Sequence, residues 1–155
     1  LLSIIGGKWT SYRRMAEETI DKAIRSGILG RKPCAIKDFR FYSGHCRLKD
    51  ERLKIYGPGA AEIEKLIDKD PETGDLIDSR LPYTKAEITW ICRNEMPVKL
   101  EDVLARRSRA LFLDARASLD AAPVVAAIMA RESGAGNDWI EKELDDYRNL
   151  VGKYL

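Results

Sequence analysis

Residues Leu1 to Ile5 form a short apolar run, Gly6-Gly7 turns the chain, and an amphipathic stretch follows. Tyr12, Met15, Ala16, Ile20, Ala23 and Ile24 fall on one face at helical spacing. Arg13, Arg14, Glu17, Glu18, Asp21 and Lys22 fall mainly on the other. The pattern predicts a strand, a glycine turn and a helix over about 11–26. Thr10 is the expected N-cap, its hydroxyl accepting a free N–H of the first turn, and Gly27 the expected stop. Gly30, Pro33 and Gly44 break up the next stretch. There Phe39, Phe41 and Ser43 alternate with Arg40 and Tyr42, which predicts a short extended piece within a linker.

A short helix is expected over 50–56, a break at Gly57-Pro58-Gly59, and a helix over 60–68 with Ala60, Ile63, Leu66 and Ile67 inward. Thr84-Lys-Ala-Glu87 reads as a capping box, in which hydroxyl and carboxylate satisfy each other's backbone donors. It opens a helix through about Glu95 with Ile88, Ile91 and Cys92 inward, while Trp90 points toward a neighbouring element. A short helix over 100–107 follows, then one over about 109–121 carrying Phe112, Ala115 and Leu119. Pro123 is expected to open a separate helix to Ser133, because a proline in the first turn has no N–H to waste. Asn137 or Asp138 is the expected cap of a last helix burying Ile140, Leu144, Tyr147, Val151 and Tyr154. The expected fold is all-α, a compact bundle of roughly six or seven short-to-medium helices preceded by a short strand.

Composition agrees with a globular chain. Hydrophobic residues make up 45% and charged residues 34% of the 155 positions. The 27 basic residues nearly balance 25 acidic ones, so charge gives no broad case for nucleic acid. Cys34, Cys46 and Cys92 lack paired spacing and read as free thiols. No run approaches the ~20 apolar residues of a membrane span, and Leu1–Ile5 lacks the basic flank of a signal peptide. The chain begins in mid-strand without Met, which reads as a piece of something larger.

Three constellations could carry chemistry. Gly6-Gly7-Lys8-Trp9-Thr10 is the first. Glycines let a ligand approach the backbone, the helix N-terminus offers free N–H groups, and Lys8 adds a full charge. That suits a phosphate or the electron-rich edge of a flavin; the alternative is a tight turn with a solvated lysine. The second is Arg93 and Glu95 with Arg106, Arg107, Arg109 and Asp114. They are expected as a buried or half-buried ion-pair network that fixes helix register. Glu101, Asp102 and Asp114 argue against a DNA-reading patch there. The third, His45 beside Cys46, lacks a second ligand pair at metal spacing. Asp68, Asp70 and Glu72 resemble the start of a calcium loop. Thr73 stands where that loop needs glycine and Ser79 where it needs glutamate, so a solvated turn is expected and no metal site.

Taken in order, the motifs resemble one family. Ile5-Gly-Gly-Lys-Trp-Thr-Ser-Tyr-Arg-Arg-Met-Ala-Glu17 is similar to the junction segment of FAD-dependent glycerol-3-phosphate dehydrogenase. Tyr56-Gly57, Pro82-Tyr-Thr-Lys-Ala-Glu87 and Arg93-Asn-Glu-Met96 follow. Then come Leu100-Glu-Asp-Val-Leu-Ala-Arg-Arg-Ser-Arg109, Phe112-Leu-Asp114, Ala122-Pro123 and Ile128-Met-Ala130. The resemblance covers residue 1 to about Trp139 and departs at 30–50 and at Lys99, where the family commonly has a capping threonine.

The resemblance implies the C-terminal helical domain of that enzyme over 11–155, with the end of its FAD-binding domain, strand and GGK turn, over 1–10. The family oxidises glycerol 3-phosphate to dihydroxyacetone phosphate and passes electrons to quinone. Gly7, Lys8 and Thr10 would then lie at the flavin. Lys8 would stabilise the anionic reduced ring near its pyrimidine edge, and Thr10 would cap the helix and bond the cofactor's polar chain. No catalytic residue is expected in this piece, and FAD is expected in the parent enzyme rather than on the fragment. The implied partners are the N-terminal flavin and substrate domain, quinone and the membrane surface in the parent, and a homodimer. The implied location is cytoplasmic, with the parent peripheral to the inner face of the cell membrane. The alternative is an autonomous α-helical interaction module using Trp90 and Trp139.

Overall fold

The structure, a computed structural model, describes residues 2–35 and 49–155. The alternating stretch 39–43, His45 and Cys46 lie outside the described residues. The chain divides into two units, Leu1–Phe41 and Tyr42–Leu155.

In the first unit, residues 2–8 carry no regular secondary structure, so the expected strand is not formed there. A lone strand has no ladder to join, and its backbone groups gain nothing over solvent. Trp9–Ser11 makes a 3-10 turn that runs into α1, Tyr12–Arg25. The helix ends as expected. Gly27 sits at φ +72, and the amides of Gly27 and Ile28 return to the carbonyls of Ile24 and Ala23 at 3.0 and 2.9 Å. This is the Schellman arrangement, which uses two of the orphan carbonyls of the last turn. Ala23 is the buried residue of α1, while Tyr12 and Ile20 on its apolar face are about half exposed.

The second unit holds an all-α core. A 3-10 segment, Glu51–Tyr56, leads through Gly57-Pro58 into α2, Gly59–Lys69. A 3-10 turn over Pro71–Gly74 and a single antiparallel bridge between Leu76 and Thr84 connect to α3, Lys85–Asn94. After a helical turn at 100–107 come α4 (Ala110–Leu113), α5 (Ala115–Ser133) and α6 (Asn137–Val151). α5 is the spine. Ala117, Ala121, Val125 and Ala126 are buried and packed with Ile88 and Ile91 of α3 and Tyr147 and Val151 of α6 in one core. The Ser118 hydroxyl meets the Tyr147 hydroxyl at 2.5 Å inside it. Burial pushes the Tyr147 phenol up to about 12.

Pro123 does not open a new helix; it lies within α5. An interior proline costs about 3 kcal/mol through its lost hydrogen bond and its clash with the preceding turn. Here buried neighbours on both sides, Ala121, Ala122, Val125 and Ala126, hold the helix through it. The break falls at Asp114 instead, whose extended backbone (φ −154, ψ 104) starts α5 and whose carboxylate accepts the Ala117 amide at 2.8 Å. As a result Phe112 is exposed rather than inward. Tyr154 lies beyond the end of α6 and is also exposed. α6 begins at Asn137 with Gly136 in the cap position, so neither Asn137 nor Asp138 caps it.

The 100–107 helix lacks a hydroxyl at Lys99, and carboxylates replace it. Asp102 Oδ2 accepts the amides of Val98 and Lys99 at 3.0 Å, and buried Glu143 of α6 accepts the Leu100 amide at 2.9 Å. Residues Asp102–Arg107 wind as a π-helix. The Ser108 amide and hydroxyl both donate to the Val103 carbonyl, at 2.9 and 2.8 Å. Arg109 then takes a left-handed conformation, φ +58.

The expected ion pairs form in two groups rather than one network, and Arg107, which also donates to the Asp102 carbonyl at 2.9 Å, ties the Glu95 pair to the Arg106 pair. Arg93 grips Glu132 of α5 with two bonds of 2.6 and 2.9 Å. Arg107 donates to the Glu95 carbonyl at 2.6 Å and lies 3.3 Å from its carboxylate. Arg106 pairs with Glu101 and Asp102, and Asp114 serves as a cap. Arg80 bridges Asp78 and Asp120, and its two-pronged bond holds the Asp78 carboxyl down to about 2. In the acidic turn, Asp68 is taken by Lys49, Asp75 by Lys85, and Asp70 caps the 3-10 segment.

Two outcomes are expected. A Cβ at Gly59 would lie 2.2 Å from the Trp90 ring, so Gly59→Ala should lower stability by about 1–3 kcal/mol in urea unfolding. An unchanged midpoint would show that the ring moves freely. The second concerns Glu132, whose carboxyl is held below the ordinary 4.5 chiefly by the Arg93 bond. Near neutrality both folded and unfolded forms are ionised and the pair contributes fully. Below about 4.5 the unfolded chain takes the proton first, and the contribution fades as pH falls through the lower folded value. The stability gap between wild type and Glu132→Gln should therefore be constant near neutral pH and shrink in acid. A gap independent of pH would count against the pair.

Candidate functional site

The glycine turn has the backbone its sequence predicts. Gly6 and Gly7 stand at φ +75 and +128, conformations that L side chains rarely adopt. Gly7 also packs on Met15: a Cβ there would lie 2.3 Å from the sulfur. Lys8 returns to an extended backbone, φ −108 and ψ 151.

Ser11, not Thr10, organises the start of the helix. Its hydroxyl oxygen accepts the Lys8 amide at 3.3 Å and donates to the Lys8 carbonyl at 3.0 Å. The 3-10 turn places Ser11 at the N-cap position of α1, and its hydroxyl serves the Lys8 backbone rather than the first-turn amides of the helix. The Thr10 hydroxyl is left exposed, with no hydrogen bond among the described residues, and the Lys8 ammonium is likewise exposed and unpaired. α1 has no acidic residue in its first turn. Trp9 and Tyr12 stack at 5.2 Å beside Lys8, and with Ile4, Gly7 and Met15 they line an open cleft of about 350 Å³. The turn thus sets a cation and a hydroxyl beside an apolar shelf, with Glu17, Glu18 and Asp21 on the cleft that Thr10 also lines. That chemistry fits an anionic, flat ligand edge.

The other motifs serve the scaffold. Glu87 is 4% exposed. One of its oxygens accepts the Thr84 amide at 2.8 Å and the Thr84 hydroxyl at 2.9 Å; the other accepts the Tyr56 hydroxyl at 3.0 Å. Burial and then the Glu87 charge raise the Tyr56 pKa, which keeps that phenol a donor. The Tyr56-Gly57 and Thr84–Glu87 motifs are therefore two halves of one buried contact. Sequence reading saw the capping box but not its third partner, since nothing local links residues 31 apart. Gly59 likewise read only as a breaker, whereas it makes room for Trp90.

Trp90 donates to Glu62 at 2.7 Å and meets Tyr56 edge to face at 5.4 Å. Trp139 is partly buried against the core. Both tryptophans are thus partly buried against the unit's own residues, and Trp139 also lines an open cleft with Cys92 and Met129. The Cys92 thiol is pushed up to about 11 by burial and then by Glu132, so it is not a poised nucleophile. Among the described residues no cluster of three or more His, Cys, Asp or Glu could hold a metal ion. No helix among them is long and apolar enough to cross a membrane.

Comparison with known proteins gives these features a context. The mitochondrial glycerol-3-phosphate dehydrogenase of Mesocricetus auratus is 30% identical over 176 residues, covering 100% of this chain and 24% of that protein. The corresponding protein of Schizosaccharomyces pombe is 29% identical over 194 residues, covering 98% and 30%. A probable glycerol-3-phosphate dehydrogenase of Encephalitozoon cuniculi is 29% identical over 172 residues, covering 99% and 28%. The chain spans 24% to 30% of the length of these relatives. No solved structure matches it. A protein-family model, the C-terminal domain of alpha-glycerophosphate oxidase, matches residues 2–140, and the chain belongs to that family.

Proposed function

We propose that this chain is the C-terminal part of a flavin-dependent sn-glycerol-3-phosphate dehydrogenase, which oxidises glycerol 3-phosphate to dihydroxyacetone phosphate and passes electrons to quinone. The match of residues 2–140 to the family carries the reading. The parent is a peripheral enzyme of the inner face of the cell membrane, and the helical unit packs on the flavin and substrate domain of the same chain. In this assignment residues 1–10, with the GGK turn, end the flavin domain, and 11–155 is the helical domain. The half-exposed Tyr12 and Ile20 on the apolar face of α1 support packing against a larger body, which would cover them.

FAD is the cofactor of this reading, and when bound it supplies a hydride acceptor at flavin N5. Gly7 and Lys8 would lie at its ring edge, and Thr10 would bond its polar chain. The exposed Lys8 ammonium would supply a positive charge beside the reduced ring once the flavin domain holds the turn, and the Thr10 hydroxyl would offer a hydrogen bond. Gly7 keeps the backbone close because its Cβ position is filled by Met15. Ser11 fixes the Lys8 backbone from below. No group in this chain is assigned to take the substrate's hydroxyl proton.

In the full-length enzyme, Lys8→Met should lower turnover about 100-fold, the usual cost of losing one preorganised charge, while the unfolding midpoint stays put because Lys8 is exposed. Unchanged turnover would remove Lys8 from the site. The 155-residue chain titrated with FAD should show no appreciable binding, since most of the cofactor site lies elsewhere in the parent. Stoichiometric, tight binding would overturn that division of labour.

A further inference from the structure

The underside of the glycine turn rests on one flexible side chain. Met15 lies on the apolar face of α1, and of the described residues that line the cleft beside Lys8 it alone is half-buried; the others are exposed. Its sulfur and terminal methyl fill the space that a Cβ on Gly7 would need. The Ser11 hydroxyl lies 3.6 Å from the same sulfur, within reach of a thioether acceptor, and 3.0 Å from the Lys8 carbonyl. Its one hydrogen serves these two acceptors, while the hydroxyl oxygen accepts the Lys8 amide at 3.3 Å. Met15 is itself tied into α1, where its carbonyl accepts the Thr19 hydroxyl at 2.7 Å. Gly7, Ser11 and, through Ser11, both backbone groups of Lys8 therefore depend on one thioether.

We propose that Met15 is a positioning residue for Lys8: its thioether, set between Gly7 and Ser11, fixes where the turn presents the ammonium. The inference rests on the reading of Lys8 as the charge beside the reduced flavin. Methionine suits the task, because an unbranched thioether fills an irregular gap and still accepts a weak hydrogen bond. Alanine in its place would leave a void beside a glycine at φ +128, a residue whose own sterics restrain the backbone little. Gly7 and Lys8 would then swing, and a misplacement of about 1 Å can cost about 100-fold in rate. A body covering the apolar face of α1 presses Met15 onto Gly7, so the hold tightens in the parent enzyme.

The test is a double-mutant cycle in the full-length, flavin-loaded enzyme, with Met15→Ala, Lys8→Met and the two together. Alanine is a better helix former than methionine, so α1 itself is kept. Met15→Ala should lower kcat about tenfold with KM within about twofold of wild type. It should also lower the flavin midpoint potential, by less than Lys8→Met does, because a displaced cation stabilises the reduced anion less. On the Lys8→Met background it should change neither further. Met15→Leu, which keeps the volume, should recover most of the loss. A readout without turnover is hydrogen exchange across 7–11 by mass spectrometry, which should quicken in Met15→Ala and stay near wild type in Met15→Leu. Equal losses from Met15→Ala with and without Lys8 overturn the proposal, as does unchanged exchange across 7–11. A silent Lys8→Met overturns the reading of Lys8 as well, whereas an active Lys8→Met beside a silent Met15→Ala overturns this proposal alone.

Discussion

A carboxylate taken out of water must be satisfied from several sides, and Glu87 sets the terms for much of the helical unit. Its two oxygens collect three donors from two parts of the chain. Through Thr84 it fixes the start of α3, and through Tyr56 it fixes the 3-10 segment that feeds α2. With that register set, Trp90 lies over Gly59 and donates to Glu62. Removing the carboxylate would strand a half-buried phenol as well as a cap, a larger loss than either bond alone. Among the described residues no buried side-chain polar atom lacks a partner, so the arrangement closes.

Carboxylates serve in the same way at two other helix starts of this unit, those at 100 and at 115. Glu143 reaches from α6 to the Leu100 amide, Asp102 reaches back to Val98 and Lys99, and Asp114 opens α5. These carboxylates sit at the positive ends of helices, where the backbone dipole favours them. The cost appears at Arg109. The π-winding before it and the extended Asp114 after it leave little room for turning, and the chain takes a left-handed step at a residue that has a side chain. Such a step costs on the order of 1–3 kcal/mol and persists because its surroundings are fixed.

Periodicity made α1, α2, α3 and α6 legible, since each has one apolar face repeating at helical spacing. It failed around Pro123 because a local rule met a stronger global one: alanines and valine on both sides of the proline were already buried. It failed at Phe112 because a break at Asp114 rotates everything before it out of register with α5. Long-range partners such as Tyr56 with Glu87, or Leu100 with Glu143, leave no trace in local spacing. The GGK turn was readable as a turn, since consecutive glycines before a helix suit positive-φ backbone. Thr10 and Ser11 were not separable by sequence. Both are hydroxyls at the same helix end, and the 3-10 turn that puts Ser11 at the N-cap position depends on its bonds to the Lys8 backbone.

The two units differ in what they can sustain. Ordering a residue costs on the order of 1–2 kcal/mol of backbone entropy, and burial must offset it. The helical unit has a core to do so. The segment 2–35 has Ala23 as its buried residue, while Ile4, Ile5, Trp9 and Tyr12 stay largely exposed. Lys8 therefore borrows its position. A charge that stabilises a developing anion acts only if it is held still before the reaction, and a thinly packed turn cannot hold it. In the proposed enzyme that rigidity must come from the flavin domain covering the apolar side of α1. The exposed face of α1 and the reactivity proposed for Lys8 are then one property, because the surface that leaves the turn loose alone is the surface that fixes it when covered.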